Sequence, residues 1–362
     1  MKKKNYLSIG IMSGTSLDGI DISLILSNGK DFFDPIESMY VKYSDSLKTR
    51  LSNFIGKFNV SNRFSSELIS IQKEITEQYI KALCKFFINV DKIKVDIICL
   101  HGQTIYHEPT RKMSIQLCDA DLIKKKFGIK TIYDFRQNDL KNGGQGAPLV
   151  PIFHALINKN FSLQGVNAYL NIGGVANVSI IANNKIIASF DTGPGMGILN
   201  EYIYSKKKVH YDKNGSFGLK GSVNYKKINK LLKDPFFRKK YPKSIDKNYF
   251  NKDSFKGLSF YDACATITEF TAECVKVGLL SANIKIDNII LMGGGLKNKF
   301  LIQVLKDKIN INIVNVNQLG LNGDFIESQA FAYLGIRKIR NLPITFPQTT
   351  GVKKSVTGGK VI

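Results

Sequence analysis

The sequence predicts an α/β protein built as two halves. Three observations carry this: strand-like and helix-like segments alternate along the chain, each half opens on a strand–glycine turn–strand unit, and 362 residues correspond to about two domains at ~150 residues each. A chain of this size buries about three quarters of its unfolded surface, so its core needs no disulfide or metal staple. Hydrophobic content of 43%, aromatic content of 10% and 9 prolines exclude a disordered chain, a collagen and a disulfide scaffold.

Residues 6–11 and 20–26 read as two strands around a Gly/Ser/Thr turn, a hairpin. From 66 to 90, Leu68, Ile71, Ile75, Tyr79, Leu83 and Phe86 recur at helical spacing. The run VDIICL at 95–100 suits a strand buried on both faces. A second cycle repeats the plan. Residues 167–181 read as strand, glycine turn, strand, and 185–191 as a third strand ending on Asp191. A helix carries Phe260, Ala263, Cys264, Ile267, Phe270, Cys274 and Val277 on one face, which places two cysteines in the core. The strand 288–292 enters the turn Gly293–Gly295, and a helix from 325 to 340 closes the cycle. The two hairpins lie about 160 residues apart, the spacing of a duplicated unit.

The formal charge of +23 invites a nucleic-acid reading. The basic runs at Lys2–Lys4, Lys124–Lys126, Lys206–Lys208 and Arg238–Lys240 are scattered, however, and high Lys, Asn and Ile together point to compositional bias, so no nucleic-acid partner is expected. Five cysteines, Cys84, Cys99, Cys118, Cys264 and Cys274, form neither CxxC pairs nor zinc-finger spacing and read as reduced thiols of a cytoplasmic protein. The apolar stretch after the N-terminal lysines is too short for a signal peptide, and no run reaches the 18 or more residues of a membrane span.

Phosphate binding needs converging backbone N–H groups and close backbone approach, which glycine permits. The chain has neither GxxxxGK[ST] nor GxGxxG, which excludes a Walker-type NTPase and a usual dinucleotide binder. It has three glycine turns instead, each after a strand: Ser13–Thr15, Asn171–Gly174 and Gly293–Gly295. One such turn merely reverses a chain; three on two α/β halves point to a nucleotide held in a cleft between domains. Around the first turn, Ser13, Thr15, Ser16, Asp18 and Asp21 gather hydroxyls and carboxylates. Asp18 there suits a Mg²⁺ reached through water, with no direct protein ligation of metal expected; the alternative is a solvated hairpin tip with Asx-type turns. Asp191, at a strand's carboxyl end before Gly193, Pro194 and Gly195, is sited as a general base; an Asp there could also only cap the next helix. HGQT, residues 101–104, follows a strand. Asp134, Arg136 and Asp139 precede another glycine turn, and the Arg136 guanidinium could fork onto a substrate carboxylate. His101 and His107 read as structural or hydrogen-bonding side chains. Glu327, like Asp18 and Asp191, stands out from the other acidic residues by its position after a strand.

The motifs GIMSGTSLDGID, HGQT, DFRQNDLKNGGQGAPLVP, LNIGGVANVS, FDTGPG, YDKNG, CATITEFTAE, MGGGLKN, GDFIESQAFAYLGIRKIRNLP and FPQTTGV occur in that order nearly end to end. In combination they resemble the anhydro-N-acetylmuramic acid kinase family, bacterial enzymes of cell-wall recycling. The resemblance implies a two-domain actin-like, hexokinase-type ATPase fold, a duplicated RNase H-like unit with an interdomain cleft, with an N-terminal domain of residues 1–134 plus 341–362 and a C-terminal domain of 135–340. It implies conversion of 1,6-anhydro-N-acetylmuramic acid, water and ATP, with Mg²⁺, into N-acetylmuramic acid 6-phosphate and ADP. Carried over, Gly14, Thr15, Ser16, Leu17, Asp18, Gly19, Ile20 and Asp21 hold the ATP phosphates, and Asn171, Gly173 and Gly174 belong to the nucleotide site. Gly293, Gly294 and Gly295 resemble the adenosine-binding turn, Asp191 is the base that activates water, and Arg136 and Glu327 recognise the sugar. A homodimer is compatible with this reading, and a membrane partner is not expected. Two departures stand out: Met196 and Asn200 replace the amide and the acidic residue that usually follow DTGPG, and 241–250 keeps Pro242, Lys243 and Ser244 but not the rest of PKSTGRE. A kinase for a different sugar and a non-catalytic ATP-binding regulator use the same scaffold, and both remain open at this level.

Overall fold

The structure, a computed structural model, describes residues 4–246 and 249–362; Lys2 and Lys3 of the first basic run, and Lys247 and Asn248 of the 241–250 segment, lie outside them. The chain divides into two compact units, Met1–Asn160 with Phe325–Ile362, and Phe161–Asp324.

Unit 1 begins with β1 (Tyr6–Ser13), β2 (Gly19–Ser27) and β3 (Phe33–Lys42), followed by α1 (Asp45–Lys57), α2 (Ser66–Phe86), β4 (Ile97–Glu108), β5 (Met113–Leu117), α3 (Ala120–Phe127), β6 (Lys130–Tyr133), α4 (Gln137–Lys141) and α5 (Pro151–Asn160). Unit 2 comprises β7 (Val166–Ile172), β8 (Val175–Ala182), β9 (Lys185–Pro194), α6 (Gly197–Lys207), α7 (Tyr225–Leu231), α8 (Phe260–Ser281), β10 (Asn288–Met292), α9 (Lys299–Lys308) and β11 (Asn312–Asn315). The chain then returns to unit 1 through α10 (Ile326–Ile339), α11 (Pro347–Thr350) and β12 (Lys360–Val361).

The sheets show the duplication. Unit 1 orders its strands β3-β2-β1-β4-β6, with β12 beyond β6 and β5 on β4; unit 2 orders them β9-β8-β7-β10-β11. In each, the first three strands pair antiparallel and the next two join in parallel. The α/β class, the paired hairpins and the duplicated actin-like plan are therefore as expected.

Local chemistry explains the long helices. Ser65 caps α2 by accepting the Leu68 N–H at 3.2 Å, and Leu68, Ile71, Ile75, Tyr79, Leu83 and Phe86 are all buried along it. Ser259 caps α8 in the same way through Asp262, and Cys264 and Cys274 are buried in the core of unit 2. Helix α10 crosses the sheet of unit 1 closely enough that Ser8 Oγ donates to Ala332 O at 3.0 Å and Ser23 Oγ meets Ser328 Oγ at 2.7 Å.

Boundaries differ from expectation where packing decides them. The expected domain limits at 134/135 and 340/341 give way to 160/161 and 324/325. The segment 135–160 packs on unit 1: Phe153 meets Phe33 at 4.9 Å and Tyr333 at 5.7 Å, and Thr350 Oγ1 donates to Asp139 Oδ1 at 2.7 Å. HGQT does not follow a strand but lies within β4, which continues to pair with β5 after its central run. Likewise β9 runs on to Pro194, so Asp191 sits three residues inside the strand rather than at its end. Lys206–Lys208 and Arg238–Lys240 are exposed, as scattered surface charge should be.

Candidate active site

The turn between β1 and β2 is held from beneath. Ser13 Oγ is buried and accepts from Tyr43 Oη at 2.9 Å and Tyr79 Oη at 2.7 Å. The Gly14 carbonyl accepts from Gln103 Nε2 at 3.1 Å and from the Leu17 N–H at 3.3 Å; the Asp18 carbonyl accepts from Tyr43 N–H at 3.0 Å and Tyr40 Oη at 2.8 Å. Leu17 takes a left-handed φ of 59° with its side chain in the core, a strained conformation kept by that burial. Thr15, Ser16 and Asp18 are exposed, whereas Leu17, Gly19 and Ile20 are buried and Asp21 is half-buried. Of the eight residues expected at the phosphates, those facing inward could therefore contribute only backbone. The Gly14 and Asp18 carbonyls are thus engaged by the protein, while Thr15 and Ser16 are exposed. Asp18 Oδ1 lies 2.5 Å from Lys48 Nζ, so the cation already beside this carboxylate is a lysine. Among the described residues, no group of three His, Cys, Asp or Glu side chains could hold a metal.

In unit 2 the second glycine turn packs against both the 195–197 segment and the third glycine turn. Met196 N–H donates to Gly173 O at 2.8 Å, and the N–H groups of Gly195 and Gly197 donate to Gly174 O at 3.1 and 3.2 Å. A side chain on Gly295 would fall 2.7 Å from Ile172 Cβ, and Gly293 requires its positive φ of 84°, so both are glycine for the fold's sake. One glycine in each turn is different. At Gly14, Gly173 and Gly294 a Cβ would meet nothing closer than 3.6 Å, 3.7 Å and 4 Å respectively, and none has a positive φ. Neither packing nor a positive φ requires glycine at these positions. Asn171 pairs with Met292 across β7 and β10, next to this cluster.

Asp191 is half-buried, and burial pushes its carboxyl up to about 7, opposed by the Ile245 N–H and the nearby Lys243 charge. Its Oδ2 accepts from Ile245 N–H at 2.8 Å and its own N–H donates to Lys243 O at 2.9 Å. Lys243 is itself buried, its ammonium 3.4 Å from Phe236 O and 4.7 Å from the Phe236 ring centroid; burial lowers its pKa. Ile245, a departure from PKSTGRE, thus supports Asp191 through its backbone, which any residue but proline supplies. Met196 is buried in the apolar core, and Asn200 keeps a buried Oδ1 with no partner among the described residues.

In unit 1, Arg136 Nη1 donates to Gly146 O at 2.7 Å and Nη2 to His101 Nε2 at 2.8 Å. The free fork expected for a substrate carboxylate is thus already half used, while Nε is buried without a partner among the described residues. Glu327, in the first turn of α10, faces Arg136 electrostatically; burial raises its pKa and Arg136 opposes the rise. Asp139 accepts from Gly146 N–H at 2.6 Å and shapes the loop that meets Arg136. Lys243, Ile245, Tyr43, Tyr79 and Gln103 were not singled out as site residues by sequence; the only available signal was that Lys243 and Gln103 lie inside quoted motifs.

A family model described as anhydro-N-acetylmuramic acid kinase matches residues 6–362. The chain is similar to the anhydro-N-acetylmuramic acid kinase of Pelagibacter ubique, 36% identical over 99% of both chains, and to that of Methylorubrum populi, 35% identical over 98% of both. Among solved structures it is similar to component A of (R)-2-hydroxyglutaryl-CoA dehydratase from Acidaminococcus fermentans, 12% identical with a TM-score of 0.43 over 91% of this chain and 99% of that one. It is also similar to a ROK family glucokinase from Streptomyces griseus in complex with glucose and AMPPNP, 10% identical with a TM-score of 0.41 over 91% and 98%. No helix among the described residues is long and apolar enough to cross a membrane.

Proposed function

The chain belongs to the anhydro-N-acetylmuramic acid kinase family, and from that premise we propose that it uses ATP and water to open 1,6-anhydro-N-acetylmuramic acid and phosphorylate it at O6, with Asp191 as the base. The observation that carries the assignment is the Asp191 carboxylate: raised to about 7 by burial, with Oδ2 fixed on Ile245 N–H, it matches the proton affinity a base needs near neutral pH.

Asp191 Oδ1 takes a proton from water as the water oxygen bonds to the anomeric carbon. The bond from that carbon to O6 breaks, and O6 attacks the γ-phosphorus as the bond to the ADP oxygen breaks. In unit 1 the Thr15–Ser16 turn and the open face of Gly14 fit the phosphates of a nucleotide, and in unit 2 the open faces of Gly173 and Gly294 leave room for close approach of a nucleotide. Arg136 and Glu327 orient the sugar, with Arg136 using the N–H groups not committed to Gly146 and His101. Mg²⁺ bound to ATP would screen the phosphate charge; exposed Asp18 fits a water-mediated contact to it, at the cost of loosening its ion pair with Lys48. A cytoplasmic reaction fits the use of ATP.

Turnover in ¹⁸O-labelled water tests this. The expected product is a sugar phosphate carrying one label on the anomeric oxygen and none on phosphorus. Label on phosphate, or ADP release indifferent to the anhydro-sugar, would overturn the assignment.

A further inference from the structure

The HGQT segment is left without a role by the reaction above, yet it touches both candidate subsites of unit 1. In the parallel pairing of β1 with β4, Gln103 stands opposite Ser13, at the start of the glycine turn. Gln103 is fully buried, and its Nε2 reaches across to Gly14 O at 3.1 Å. Two residues earlier on the same strand, His101 is 5% exposed, its ring tilted against Phe331 at 4.6 Å between centroids, with Nε2 2.8 Å from Arg136 Nη2. Gly102 between them has φ of 80°, and a side chain there would fall 3.0 Å from Gln116 Cβ, so β5 holds the strand closely at this point.

We infer that β4 is the positioning strand for both ligands: Gln103 aims the turn that receives the phosphates, and His101 aims the guanidinium that meets the sugar. The inference rests on the subsites proposed above. A trans peptide points its C=O and N–H in opposite directions. Holding Gly14 O inward therefore turns Thr15 N–H outward, and without Gln103 only the longer bond from the Leu17 N–H keeps that oxygen from turning toward the phosphates. Arginine only donates, so the bond to Arg136 makes His101 Nε2 an acceptor and puts the ring proton on Nδ1. Burial and the neighbouring guanidinium hold the His101 pKa well below its ordinary value, which keeps it a neutral acceptor. Because Nη1 is tied to Gly146 O and Nη2 to His101, the guanidinium plane is fixed by two bonds and its other N–H directions follow.

The two residues make separable demands, so steady-state kinetics of the full chain tests them. Gln103→Leu, or the closer-shaped Gln103→Met, raises KM for ATP about five- to tenfold, the effect of one lost hydrogen bond, and leaves KM for the anhydro-sugar within about twofold. His101→Leu does the reverse, and His101→Gln, which keeps an acceptor, restores most of the sugar affinity. Both KM values moving together in every variant, in step with a fall in Tm, would reduce β4 to scaffolding and overturn the inference. Gly14→Val and Arg136→Met serve as direct controls. If they leave both constants unchanged, the subsite reading falls; if they move them while the β4 variants do not, the inference alone falls.

Discussion

In unit 1 the third strand, β3, runs out into Tyr43, and Tyr40 and Tyr43 reach back to hold the β1–β2 turn by its Ser13 hydroxyl and Asp18 carbonyl. In unit 2 the third strand, β9, occupies the same place in the same sheet order but runs through Asp191 into glycines, and Gly195, Met196 and Gly197 hold the β7–β8 turn by backbone alone. One repeat has become a side-chain clamp, the other a close-packed corner beside a carboxylate. A clamp of side chains can be loosened one hydroxyl at a time. A backbone corner has no such reserve, because a Cβ at Gly195 or Gly197 enters space already filled by the Gly173 and Gly174 carbonyls. The difference also separates tasks: the clamp can act on binding, while the corner brings a poised acid next to a rigid turn.

The largest effect is expected where the corner carries chemistry. Asp191→Asn lowers kcat by about 10²–10⁴ with ATP affinity retained, measured by ADP release and nucleotide titration. In the parent chain, kcat/KM rises with pH through about 7 as Asp191 ionises, and Lys243→Met moves that limb upward by about one unit because a neighbouring positive charge is gone. Stability has the opposite sign. The folded pKa of about 7 lies above the ordinary ~3.9 of an unfolded aspartate, so the contribution of this group is full below pH 4 and is lost as pH climbs to 7. Asp191→Asn should then be more stable than the parent by about 4 kcal/mol at pH 8, a gap that closes near pH 4. A pH-independent difference in urea unfolding would show that Asp191 is not desolvated.

Next comes the contrast between turns. Gly195→Ala collides with the Gly173 carbonyl and places a Cβ 3.0 Å from Val175 C, costing about 2–3 kcal/mol of stability. Gly14→Ala meets nothing closer than Ser16 Oγ at 3.6 Å, so Tm holds while ATP affinity falls. Equal thermal losses in the two variants would erase the distinction between corner and clamp. The smallest effect belongs to a single clamp hydroxyl: Tyr79→Phe costs about 1 kcal/mol of stability and raises KM for ATP a few-fold, with kcat unchanged. A fall in kcat at constant KM would place Tyr79 outside the clamp.

Sequence by itself determined the alternation of strands and helices, the two glycine-turn hairpins, the buried faces of α2 and α8, and, through motif order, the family and the three glycine turns. These are encoded locally: helical spacing, Ser65 and Ser259 as caps, and glycine after a strand all act within a few residues. What only the tertiary structure decided is who supports whom. Asp191 meets Ile245 across 54 positions, Ser13 meets Tyr79 across 66, and Gly14 meets Gln103 across 89. No periodicity spans such distances. The ends of β4 and β9 escaped local reading for the same reason, since pairing with β5 and β8 extends them beyond their apolar runs. The proton affinity of Asp191 belongs there too: a carboxylate's pKa is set by how much water and which charges surround it, and those neighbours exist only once the chain has folded.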